Sequence, residues 1–143
     1  MKELNNVIFG QFVADLKLNK IGFMVESAGA FNGHQHIQDY APIDLSDIEE
    51  TDEMKKTGTL KVIQQANADY EALKLLLDYI NPEGEQIVNF EVIIRSYTIL
   101  PIRQMEGDWS QNKDAKYTEN YLLCESAAKN FKRIHWVYLP YKK

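Results

Sequence analysis

The chain has 143 residues, of which 45% are hydrophobic and 26% are charged. This length favours one α+β domain over residues 1–143, and the composition is that of a folded chain rather than a disordered one. Its 16 basic and 21 acidic residues leave a net charge of −5. That balance argues against a protein whose main role is to coat DNA or RNA, so we expect non-specific nucleic-acid contact at most.

Membrane and secretory classes are also disfavoured. No apolar run approaches the roughly 18 residues that a membrane helix needs, and the N-terminus lacks the apolar core of a signal peptide. Cys124 is the only cysteine. A lone thiol cannot form an internal disulfide, which fits a reducing compartment such as the cytoplasm, and we expect Cys124 to be a small buried hydrophobic residue.

In the first third of the chain, the periodicity predicts one helix and two strands. Apolar residues recur every three or four positions over residues 3–17, which predicts a helix. Ile21, Phe23 and Val25 alternate with other residues, which predicts a strand, and a second strand follows over residues 36–40. Residues 44–58 form a long polar connection.

The middle of the chain predicts a strand that runs into a helix. Residues 59–65 alternate as a strand does, and Asn67 can cap the helix that follows, with Asp69 in its positive first turn. Leu73, Leu76, Leu77 and Ile80 then form an apolar stripe.

The last third predicts two more strands. The first covers residues 88–94 with a possible extension over 97–100, and the second covers 134–139. A polar loop over residues 103–116 separates the first strand from a segment at 117–131, where composition favours a helix and a strand at 117–122 is the alternative. The second strand follows this segment. The predicted fold is a mostly antiparallel mixed sheet packed by two or three helices.

No catalytic or cofactor-binding motif is present. The sequence contains no Gly-x-Ser-x-Gly, no phosphate-binding loop and no Gly-x-Gly-x-x-Gly. His34 and His36 lie two residues apart, and with His135 they offer a metal-dependent enzyme as one alternative. Zinc sites need three or four ligands, however, so we expect no metal, no cofactor and no enzymatic activity.

The charges are unevenly distributed along the sequence. Residues 39–53 are rich in Asp and Glu and contain no Lys or Arg, whereas residues 129–143 contain Lys and Arg but no acid. Copies of the chain could therefore associate head to tail. The candidate interface residues are Asp47, Glu49, Glu50, Asp52, Glu53, Trp109, Lys132, Arg133 and Tyr141.

The order of the predicted elements resembles a known class of assembly proteins. The features concerned are the first helix with Ile21-Gly22-Phe23, the segment at Pro42, the strand Leu60–Gln65 that leads into the helix at Asp69, and the strand Ile134–Leu139. This order is similar to that of the tail-terminator and neck proteins of tailed bacteriophages. The resemblance implies a virion structural protein that forms a homo-oligomeric, hexameric ring, contacts other virion proteins and has no catalytic residues.

A second alternative uses the acidic segment alone. A small acidic binding protein of the immunity or antitoxin kind would use the acids of residues 39–53 to cover a basic partner, since such a patch steers association.

Overall fold

In the computed structural model, the described residues are 7–28, 33–107 and 118–140, and they form a five-stranded sheet packed against helices. The strands are β1 (Val7–Asp15), β2 (Lys20–Ala28), β3 (His34–Asp39), β4 (Glu91–Ser96) and β5 (Ile134–Tyr138). The helices are α1 (Asp52–Thr57), α2 (Thr59–Ile80), α3 (Ile99–Glu106) and α4 (Thr118–Ala128).

The sheet is mixed, with strand order β3-β2-β1-β4-β5. β2 pairs antiparallel with both β1 and β3, whereas β4 runs parallel to both β1 and β5. The predicted α+β class, a mixed sheet packed by helices, is confirmed. The carboxyl ends of β1 and β4 consequently lie at the same edge of the sheet.

Helix α2 lies across β1 and β2, and the other helices contact α2. Gly10 of β1 allows this close packing, because a Cβ there would lie 3.0 Å from both methyl carbons of Leu76. Further along, the side chain of Gln65 reaches the carbonyl oxygen of Ala14. The N-terminal half of α2 therefore covers the carboxyl end of β1.

The predicted helix over residues 3–17 is wrong, since residues 7–15 form the central strand β1. Its buried residues alternate strictly, with Ile8, Gly10 and Phe12 facing the core. The helical spacing arose because apolar residues also occupy the other face of this strand, including Val7 and Val13. When both faces of a strand are apolar, a subset of its residues can match a helical period by chance.

The predicted strand over residues 59–65 is also wrong. These residues form the first turns of α2, which begins at Thr59 after Gly58 in the left-handed conformation. The predicted extension over 97–100 instead enters α3, where Pro101 occupies the first turn, a position that tolerates proline. The polar connection 44–58 contains α1, capped by the Thr51 hydroxyl, which accepts a hydrogen bond from the backbone N–H of Met54.

Several predictions agree with the structure. β2, β3 and β5 lie where alternation predicted strands, and β4 covers the second half of its predicted range and two further residues. The segment at 117–131 contains α4, as its composition favoured. Cys124 is buried, as expected. Within the described residues, no helix is long and apolar enough to cross a membrane.

Candidate functional site

An open groove lies where the carboxyl end of β1 meets the N-terminal half of α2. It encloses about 1080 Å³. Its walls are formed by Val13, Ala14, Asp15, Leu16, Lys17, Leu45, Leu60, Lys61, Val62, Gln64 and Gln65. Open α/β sheets bind ligands outside the carboxyl ends of their strands, so the groove lies where this topology places a site.

Two lysines that line the groove have no acidic partner among the described residues. Lys17 belongs to the turn between β1 and β2, and Lys61 lies in the first turn of α2. Both side chains are exposed, and neither is within ion-pair distance of a carboxylate among the described residues. The groove therefore combines apolar walls with two positive charges that are available to an anionic ligand.

The floor of the groove is held by a buried carboxyl group. The side-chain amide of Gln65 donates to the carbonyl oxygen of Ala14 (3.1 Å) and to Oδ1 of Asp69 (3.2 Å). Asp69 is fully buried, and its Oδ2 has no hydrogen-bond partner among the described residues. Burial raises the pKa of Asp69 to about 8, against the opposing effect of the Gln65 hydrogen bond. A strongly perturbed carboxyl group behind a groove is a recognised mark of a functional site.

The segment after β3 is fixed to α2 beside the groove. Gln64 makes two hydrogen bonds to the backbone of Ile43: its Nε2 donates to the carbonyl oxygen (2.7 Å), and its Oε1 accepts from the N–H (3.2 Å). Because both ends of the Gln64 amide are committed, Ile43 cannot shift independently of α2. Leu45, two residues on, is thereby held in the groove wall.

Metal-assisted hydrolysis of phosphate esters uses several ligands that converge on one or two ions. Among the described residues, no group of three or more His, Cys, Asp or Glu side chains could hold such an ion. Asp69 contributes one carboxyl group without a second beside it, and Asp108 and Asp114 lie outside the described part of the chain. The described donors therefore do not fit a metal centre.

The histidines of the metal hypothesis are far apart. His34 and His36 lie on the edge strand β3, whereas His135 lies on β5 at the opposite edge of the sheet. The His34 ring stacks on Tyr79 with 4.5 Å between ring centroids, and a ring nitrogen of His36 lies 2.9 Å from Oε1 of Gln38. These three residues cannot share an ion, so a metal-dependent enzyme built on them is excluded.

The predicted interface residues lie away from the groove lining. Asp47, Glu49 and Glu50 lie in the segment before α1, and Asp52 and Glu53 form its acidic first turn. Lys132 and Arg133 precede β5, where Arg133 donates to the carbonyl oxygen of Val88 (3.3 Å). Trp109 and Tyr141 lie outside the described residues. The role of these residues in an interface stays a prediction.

The residues that form the groove were not singled out from the sequence. Lys61 and Gln64 fall in the predicted strand over residues 59–65, and Asp69 falls in the positive first turn of the predicted helix. One signal was available: Asp69 lies four residues before Leu73 and extends the apolar stripe of α2 backwards. An acid one turn before the first apolar residue of such a stripe lies on the buried face, provided that the helix begins before the acid.

Comparisons with known proteins identify the fold. No family model and no curated protein matches the sequence. Solved structures do match: RNase H1 of the archaeon Halobacterium salinarum superposes with a TM-score of 0.62 at 15% identity, covering 94% of this chain and 86% of that one. The N-terminal RNase H domain of a Mycobacterium tuberculosis protein, solved as a fusion with maltose-binding protein, gives 0.59 at 18% identity, with coverages of 94% and 86%.

A third match was solved with a ligand. LC11-RNase H1 in complex with an RNA/DNA hybrid has a TM-score of 0.59 and 21% identity, covering 94% of this chain and 84% of that one. These likenesses show that the chain has the RNase H fold.

The phage interpretation is therefore wrong. The matching structures are RNase H proteins rather than tail-terminator or neck proteins, and this removes the basis for a virion location, a ring of identical subunits and virion partners. The expectations of no enzymatic activity and at most non-specific nucleic-acid contact are likewise overturned, since these neighbours are ribonucleases and one binds a hybrid. Net charge is a weak guide to nucleic-acid contact, because it averages over the surface, whereas binding depends on where the charges lie.

Proposed function

We propose that this chain is a nucleic-acid-processing protein of the RNase H type, which binds an RNA/DNA hybrid along the groove at the carboxyl end of β1. The observation that carries the proposal is the pair of lysines without acidic partners, Lys17 and Lys61, on the groove of a chain with this fold. We extend the proposal to a cytoplasmic location, which suits the single buried thiol of Cys124.

The chemistry of the groove supports this ligand. Lysines bind nucleic acids by neutralising phosphates and releasing counterions, and such contacts set the orientation of the protein on the duplex. The apolar walls, including Val13, Leu16 and Val62, offer contact surface to the sugars of the backbone between the two charges. The described residues thus support a role in binding the hybrid. Cleavage of the bound strand is tested separately.

The test is a titration of a labelled RNA/DNA hybrid followed by fluorescence anisotropy at several salt concentrations. Lys17→Glu and Lys61→Glu should each weaken binding, and each should reduce the slope of log Kd against log salt by about 0.9, the loss of one phosphate contact. The matched controls are Lys132→Glu and Arg133→Glu, tested as single variants, each of which makes the same charge change just before β5.

Two results would contradict the proposal. Wild-type protein that fails to bind the hybrid at low salt would refute it outright. Equal losses in the groove variants and in the controls would mean that only overall charge matters. Gel analysis of the RNA strand in the same samples, with wild type and Asp69→Asn compared, reports whether bound hybrid is also cut.

A further inference from the structure

Tyr40 connects two walls of the groove without lining it. It follows β3 directly, and only 3% of its surface is exposed. Its backbone N–H donates to the carbonyl oxygen of Asn19 at 2.8 Å. Asn19 belongs to the turn between β1 and β2 and has a positive φ of 52°. The same turn carries Lys17, so the Tyr40 backbone holds the segment that presents this lysine.

The other end of Tyr40 is attached to α2. Its hydroxyl accepts a hydrogen bond of 2.7 Å from Nδ2 of Asn67, which is itself buried. Oδ1 of Asn67 in turn accepts from Nδ2 of Asn120 in α4 at 2.8 Å. Asn67 lies six residues after Lys61 in α2. A single side chain thus joins the turn of Lys17 to the helix of Lys61.

We propose that Tyr40 is a positioning residue for nucleic-acid binding, whose hydroxyl fixes the turn of Lys17 relative to Lys61 on α2. This inference rests on the function proposed above. A duplex presents phosphates at fixed spacing, so two lysines contact it together only when their own separation is held. Without the hydroxyl, Nδ2 of Asn67 loses its acceptor, and the end of the turn at Asn19 is less firmly held to α2.

Other contacts hold neighbouring parts of the groove wall. Where the chain enters the turn, Gln65 of α2 donates to the carbonyl oxygen of Ala14 (3.1 Å), which attaches the end of β1 to α2. Asp15 accepts hydrogen bonds from the N–H groups of Lys17 and Leu18 through Oδ1 (3.0 and 3.3 Å), which shapes the turn internally. The connection through Tyr40 to Asn67 therefore holds the other end of the turn, at Asn19.

The test compares Tyr40→Phe with Tyr70→Phe in the hybrid titration at several salt concentrations. Tyr70 is the matched control, because it is also fully buried and its hydroxyl donates to Oε1 of Gln104, away from the groove. Both variants lose one buried hydroxyl and should be destabilised. Only Tyr40→Phe should weaken hybrid binding and lower the salt slope by about 0.9, since one lysine contact is lost. Equal slopes in both variants and wild type would overturn the proposal.

Amide hydrogen exchange, measured without nucleic acid, tests the positioning role of Tyr40 independently of hybrid binding. In Tyr40→Phe, the amide at position 40 and those of Lys17 and Leu18 should exchange faster, while those of Val92 and Ile94 in β4 stay as in wild type. Unchanged exchange in the turn would overturn the positioning role. If wild type binds no hybrid, the proposed function fails, and the exchange result still decides whether Tyr40 holds the turn.

Discussion

The buried carboxyl group of Asp69 accepts a hydrogen bond from Gln65, one turn earlier in α2, while the same amide group donates to Ala14 of β1. The contact fixes the amide of a groove-lining residue to both the helix and the strand. It also removes from water an acid whose pKa is raised by burial to about 8.

This burial predicts a pH-dependent stability. Because the pKa of Asp69 is near 3.8 when exposed and about 8 in the folded chain, the folded state holds its proton more tightly. The free energy of unfolding therefore falls as pH rises between about 4 and 8, by up to a few kcal/mol, and levels off above that range. Asp69→Asn should match wild type at pH 5 and exceed its stability at pH 9, measured by urea unfolding.

The matched control for this prediction is Asp78→Asn. Asp78 lies on the same helix but is exposed and paired with Lys74 at 2.7 Å. Asp78→Asn should leave the change in the free energy of unfolding between pH 5 and pH 9 as it is in wild type. The prediction is contradicted if the free energy of unfolding of Asp69→Asn differs from that of wild type by the same amount at pH 5 and at pH 9. Asp69 would then not be buried in its neutral form.

Two glycines of the sheet predict a ranking of destabilisation. A Cβ at Gly10 would press on the flexible side chain of Leu76 at 3.0 Å, whereas a Cβ at Gly22 would meet the backbone carbonyl oxygen of His36. Overpacking a core typically costs about 1–3 kcal/mol. Gly10→Ala should fall within that range, and Gly22→Ala should cost more, because a strand backbone yields less than a leucine. Urea midpoints in the reverse order would contradict the packing described for β1 and β2.

The thiol of Cys124 should be unreactive in the folded chain. It is fully buried, its Sγ donates to the carbonyl oxygen of Tyr70 at 3.1 Å, and burial raises its pKa. The thiolate is the reactive form, so a thiol reagent such as Ellman's should label Cys124 only after denaturation. Rapid labelling of native protein at pH 8 would show that α4 separates readily from α2.

Several elements could be predicted because one face of each is buried and the other is polar. β5 and the later turns of α2 meet that condition, and their alternation or stripe is clear in the sequence. The central strand β1 does not have a polar face, since Val7, Phe9 and Val13 lie on its second face. Together with the core residues they mimic a helical period. Tertiary context, not local pattern, decides such a segment.

The groove could not be predicted for a different reason. Lys17 and Lys61 are distant in sequence and belong to a turn and a helix that only the sheet topology brings together. Because the first turns of α2 were assigned to a strand, Asp69 was placed near a helix start instead of in the interior. The error at the start of α2 thus concealed the buried acid and Lys61, and the predicted helix over residues 3–17 concealed the turn that carries Lys17.

Amide chemical shifts of the wild-type protein, recorded with and without an RNA/DNA hybrid, locate the surface that binds it. We expect shift changes at Lys17, Lys61 and Gln65, with the amides of Lys132 and Arg133 unchanged. Changes confined to Lys132 and Arg133, or none at saturating hybrid, would contradict this expectation.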